Sequence, residues 1–140
     1  MTTADLVAAG LGRGAIARRV ADGRLRPLHR GVYLVGPIED DWTDAMAAAL
    51  ACGPGAVVSH HAAAAIWGLR PWNGPIDVTT TRRLRRRQGI RVHRTRCLDA
   101  RDITRRHGIP LTTPARTLLD LAAHLDQRSL ARAIESGRDR

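Results

Sequence analysis

The residues best suited to chemistry in this chain are its arginines, and their spacing says which chemistry. Six fall between Leu11 and Gly36, at positions 13, 18, 19, 24, 26 and 30. A guanidinium is a permanently charged planar fork of donors, matched to phosphate oxygens and to the major-groove edge of guanine. Ile16 and Val20 stand one helical turn apart and predict a core-facing stripe over residues 13–22. At about 100° per residue, Gly14 and Arg18 then point away from that stripe, with Arg13 and Arg19 on its flanks. Gly23 is expected to stop the helix, with Arg24 and Arg26 just beyond it. Two short β segments follow, and Gly31 predicts a tight turn or bulge between them. Leu28, Val32 and Leu34, with Tyr33 beside them, are expected to hold these strands against the helices.

A second group of arginines comprises Arg82, Arg83, Arg85, Arg86 and Arg87, followed by Arg91, Arg94 and Arg96. It lies between and after two stretches of β-branched alternation, Ile76–Thr80 and Gly89–Arg94, so residues 80–96 read as an arginine-rich hairpin. Like charges so close repel one another unless an anion is present. Arg82, Arg83, Arg85, Arg86, Arg87 and Arg91 are therefore expected to meet phosphates or an acidic protein surface. No aromatic residue interleaves them, which argues against stacking on single-stranded bases.

The net charge is +10, with no lysine, and arginine-, alanine- and glycine-rich usage is what a GC-rich genome produces. The distribution is nevertheless uneven. Residues 1–36 sum to +4, residues 37–75 to −3, residues 76–110 to +8 and residues 111–140 to +1. A uniform bias would not leave an acidic stretch between two basic ones, and clustered positive charge favours a polyanion partner.

Other chemistries find less support. Cys52 and Cys97 form no CxxC and read as reduced thiols. His60 and His61 are adjacent and point to different faces of a helix, whereas a zinc pair wants i, i+4 spacing. Glu39, Asp40 and Asp41 precede a helix start, where acids stabilise the dipole. Arg116 and Asp120 form an i, i+4 ion pair. There is no Walker loop, GxGxxG, GxSxG or HExxH, and no D…ExK nuclease signature. The reading is a non-enzyme with no catalytic residues, no metal and no cofactor. The first residues lack a basic n-region and an apolar h-region, so a cytoplasmic protein is expected.

These side chains need elements to position them. Thr3 is expected to cap a helix over about 4–9, and Gly10-Leu11-Gly12 to separate it from the second helix. Two helices and a two-stranded wing make a winged helix-turn-helix over residues 1–36, without the further helix that usually precedes it. Residues 37–140 are expected to form a small α/β domain of helices on a short mixed or antiparallel sheet, giving an α+β fold class. Residues 37–41 read as a linker. Helices are expected from about Trp42 to Cys52, from a Ser59 cap to Gly68, from Thr113-Pro114 onward, and over about 128–136, where Leu130, Ala133 and Ile134 would be buried. A hairpin is expected through His107-Gly108.

In combination, GLGRGAIARRVADGRLRPLHRGVYLVG, VVSHHAAAAIWGL, IDVTT, GIRVHR and IPLTTPARTLLDLAA resemble actinobacterial proteins with the AbiE-type (abortive infection, type IV toxin-antitoxin) antitoxin winged helix-turn-helix domain. The resemblance runs from about Asp5 to the end of the chain. It implies an N-terminal domain that binds double-stranded DNA and represses its own operon. It also implies a second domain, without a catalytic role, that counteracts a nucleotidyltransferase-like toxin. On this reading Arg13, Gly14, Arg18, Arg19, Arg24, Arg26 and Arg30 are the DNA contacts. The partners are duplex DNA, a cognate toxin and a second copy of the chain. Many relatives with this layout continue into a Vsr-like endonuclease domain. The alternative expectation is therefore the DNA-targeting or interaction half of a truncated or split endonuclease.

Overall fold

The structure, a computed structural model, describes residues 1–35 and 42–138. The acidic run Glu39–Asp41 and the linker reading fall outside the described residues. Among the described residues six α-helices and two β-sheets make an α+β fold.

The first layer is α1 (Thr3–Ala8), α2 (Arg13–Ala21), β1 (Leu25–His29) and β2 (Val32–Val35). Thr2 caps α1, in place of the expected Thr3, because Asp5 reaches back to it. The Asp5 amide donates to the Thr2 hydroxyl at 3.1 Å and the Thr2 amide donates to the Asp5 carboxylate at 2.8 Å. Strands β1 and β2 pair antiparallel, with a register irregularity between Pro27 and His29. The chain start runs beside β2. The Met1 amino group donates to the Tyr33 carbonyl, and the Tyr33 amide donates back to the Met1 carbonyl at 2.8 Å. Leu6, Ile16 and Leu25 are buried together, with Leu11, Val20 and Tyr33 packed around them.

Leu28, Val32 and Leu34 do not join that cluster, contrary to expectation. Successive strand residues take opposite faces, and these three face the next helix. With Trp42, Met46 and His107 they line a cavity of about 190 Å³.

The second layer is α3 (Thr43–Cys52), β3 (Val57–Val58), α4 (His60–Ile66), β4 (Ile76–Thr80), β5 (Ile90–Arg94), β6 (Ile103–Arg106), β7 (Ile109–Thr112), α5 (Pro114–Leu121) and α6 (Gln127–Arg138). Its five-stranded sheet has the order β5-β4-β3-β7-β6 and is mixed. β3 runs antiparallel to β4 and parallel to β7. Val58, Val78, Ile90, Ile109 and Leu111 meet the alanine face of α3, Ala45, Ala48 and Ala49. Alanines let the helix approach closely, so a thin core still packs. Thr113 caps α5 and Pro114 occupies its first turn, as the sequence predicts. His107 and Gly108, both with positive φ, form the expected two-residue turn between β6 and β7.

Two expectations are corrected. The arginine-rich segment 80–96 is not a hairpin, because β4 and β5 are parallel, with Ile76 beside Ile90 and Thr80 beside Arg94. Residues 81–89 must return along the length of a five-residue strand, about 17 Å, which nine residues can span. Ile134, expected in the core, is 37% exposed. It is Ala133 that α6 buries, because α6 packs on α5 alone among the larger contacts and covers only a narrow stripe.

Leu121 is wholly buried with Ala64 and Leu69 and holds α5 to α4. Leu121→Ala is expected to cost about 2–5 kcal/mol, read as a lower urea midpoint at unchanged slope.

Candidate nucleic-acid interface

Helix α2 carries its buried stripe on Ile16 and its open face on Arg13, Gly14 and Arg18, all exposed. A Cβ added at Gly14 would meet nothing within 4 Å, so nothing in the protein itself requires a glycine there. Arg19 lies on the flank, and its guanidinium donates to the Ala15 carbonyl at 3.4 Å. The helix ends in a Schellman arrangement. Gly23 takes φ of 76°, its amide donates to the Val20 carbonyl, and the Arg24 amide donates to the Arg19 carbonyl at 2.9 Å. This turn aims the chain into β1 and leaves Arg24 exposed. Arg26 lies on β1 opposite Leu34, and Arg30 sits at the hairpin tip. Among the described residues no acid pairs with Arg13, Arg18, Arg24 or Arg30.

The tip of that hairpin stands beside the arginine loop. Among the described residues, Leu28, His29, Arg30, Arg85, Arg86, Arg87 and Gln88 line a trough of about 540 Å³, with no carboxylate among them. The chain thus brings together arginines more than fifty residues apart. His29 joins them, which sequence reasoning missed; its only signal was a position one residue before Arg30. Arg82 is engaged elsewhere. Its guanidinium donates to the Cys52 carbonyl at 2.8 Å and fastens the loop to the end of α3. Arg91 lies 3.9 Å from Asp77. Arg83 is exposed.

A separate polar cluster lies where β4 and β5 meet α4. Asp77 is fully buried in β4. Its carboxyl group lies 2.9 Å from His93 Nε2 and accepts from the Ala62 amide at 3.4 Å. Ser59 occupies the N-cap position of α4 without capping it. Its hydroxyl instead accepts from Thr79 at 2.7 Å and lies 2.9 Å from His60 Nδ1. The His60 ring stacks on His93 with centroids 3.8 Å apart, and His124 meets its edge at 5.8 Å. His60 holds a left-handed φ of 51°, an uncommon conformation for a side chain of this kind. His61 turns away and stacks on Trp72, so the two histidines do point apart. Sequence reasoning missed this cluster too, although a lone Asp inside IDVTT was its signal. The expected Arg116–Asp120 pair is present at 2.9 Å, and Arg116 also reaches Asp102 at 3.0 Å.

Helices α1 and α2 and the hairpin, with arginines on the open face of α2, thus share one small cluster ahead of the five-stranded layer. Residues 2–36 match the family model described as transcriptional regulator, AbiEi antitoxin. The match spans a quarter of the chain, from the cap of α1 to the end of the hairpin. The five-stranded layer, the Asp77 cluster and the arginine loop lie outside the AbiEi antitoxin match. No curated protein matches the chain. No helix among the described residues is long and apolar enough to cross a membrane.

Burial first, then the neighbouring His93, push His60 down to about 4, against the pull of Asp120 and Asp77. An unfolded chain takes up that proton near the ordinary 6.5, so the folded state is disfavoured as pH falls from 6.5 towards 4. Thermal melts are expected to show Tm dropping across this window and level above it. His60→Asn, which tolerates the left-handed backbone, is expected to flatten the drop. An unchanged pH profile in that variant would remove His60 from the account.

Proposed function

We propose that this protein is a DNA-binding transcriptional regulator of the AbiEi antitoxin type that represses its own operon. The observation that carries the reading is the match over residues 2–36, which falls on α1, α2 and the hairpin, the unit whose open helix face carries the exposed Arg13 and Arg18. On this reading residues 1–36 are a winged helix-turn-helix, and residues 37–140 form the antitoxin-like α/β domain. Helix α2 enters the major groove, where Arg13 and Arg18 address guanine edges and Gly14 lets the backbone approach. Arg19, Arg24, Arg26 and Arg30 hold phosphates and set the register. The exposed Arg83, Arg85 and Arg86, with Arg87, extend the same phosphate surface from the second layer; Arg82 and Arg91 flank it. That extension is supported by the trough shared with the hairpin tip. A cognate toxin is the second partner of the proposal, met by the α/β domain. One helix reads few bases, which favours a dimer on repeated half-sites.

The test is a fluorescence-anisotropy titration at several salt concentrations, with the duplex upstream of the gene against a shuffled duplex. A steep salt slope with preference for the upstream duplex is expected. Arg18→Ala should relax discrimination at one base by roughly 1–3 kcal/mol. Arg24→Ala should weaken both duplexes alike and lower the salt slope by about one. Equal affinity for both duplexes would leave only non-specific attraction and defeat the repressor reading.

A further inference from the structure

Among the described residues, the trough between the hairpin tip and the arginine loop contains one titratable group, His29, among fixed cations. We propose that His29 is a proton-linked phosphate contact: a backbone phosphate of bound duplex seats in this trough, and His29 takes up a proton as it does so. The inference rests on the DNA-binding reading and says how one part of that surface works.

The geometry carries it. His29 is half-buried at the end of β1 and lines the trough with Arg30 from its own hairpin and Arg85, Arg86 and Arg87 from the loop. It also lines a second cleft, of about 450 Å³, with Asp44 of α3 and the uncharged Asn73, Gly74 and Pro75. Among the described residues these are the charged groups that face it: four arginines in the trough and Asp44 in the second cleft. Burial first and Arg87 second hold the imidazole below its ordinary value, against the opposing pull of Asp44. In the free protein near neutral pH these effects favour the uncharged ring, and arginine supplies the fixed charge of the trough.

A phosphate in the trough reverses the local field. It places negative charge beside the ring, among the arginines of the trough, and it screens Arg87. Both effects favour the imidazolium, which can then donate to a phosphate oxygen as the neutral ring's acceptor nitrogen cannot. A complex that binds more protons than the free components is strengthened as pH falls. Each unit by which the complex raises the histidine's pKa is worth up to about a tenfold gain in affinity.

The experiment measures Kd for the upstream duplex by anisotropy at pH 7.5, 6.5 and 5.5 and constant ionic strength, with circular dichroism at each pH to verify folding. The parent protein is expected to tighten by roughly five- to tenfold across this span, while His29→Gln stays within about twofold of its own value at pH 7.5. NMR of the His29 ring should show it titrating at higher pH in the complex than in the free protein. Tight binding that ignores pH, or a His29→Gln protein that follows the parent, overturns the proton linkage and leaves the DNA-binding reading standing. Absence of duplex binding at every pH overturns both.

Discussion

A buried carboxyl group must be surrounded by donors, because water cannot reach it, and Asp77 imposes that constraint on the second layer. Its oxygens are met by His93 from the adjacent strand and by the Ala62 amide in the first turn of α4. The Ser59 amide donates to the Asp77 backbone carbonyl at 2.9 Å. One residue thus fixes where α4 begins, how β5 lies against β4 and which way the His93 ring turns, and His60 stacks on that ring. Ser59 is displaced from capping because Asp77 already serves that helix end. With α4 held there, α5 can settle on it through Leu121, and the Thr112 and Thr117 hydroxyls can pair at 2.7 Å inside the layer.

The first layer depends on the second in a different way. Thirty-five residues bury a cluster of only three side chains, Leu6, Ile16 and Leu25, too small a core to stabilise a fold alone. The hairpin compensates by being apolar on both faces. Leu25 and Tyr33 meet α1 and α2, while Leu28, Val32 and Leu34 turn to α3. The same arrangement brings the hairpin tip beside residues 85–88, so packing and the cationic trough share one origin. Arg82 contributes by tying the loop to the last carbonyl of α3. A helix that holds the hairpin on one side and the loop at its end aligns two arginine groups that repel each other in the free chain.

Much of this was legible from local signals. The boundaries of α2, its open face of Arg13, Gly14 and Arg18, the stop at Gly23, the Thr113-Pro114 start of α5 and the turn at His107-Gly108 all follow from periodicity, capping and left-handed positions. Each depends on residues within about five of one another, where the chain's own stereochemistry decides. Local reasoning slipped at Thr2 by a single residue, because the reciprocal bond from Asp5 settles the cap.

Residue order alone was enough for the elements, for the concentration of arginine on one helix face and in one loop, and for the absence of the usual catalytic motifs. Packing had to decide that β4 and β5 run parallel and that Leu28, Val32 and Leu34 face α3. It also decided that Asp77 gathers histidines around it, and that His29 stands among arginines from fifty residues away. The physical reason is the same in each case. Strand direction, the choice between two faces of a hairpin, and the partner of a buried carboxyl group depend on contacts between distant segments. Alternation of residue types reads the same whichever neighbour arrives.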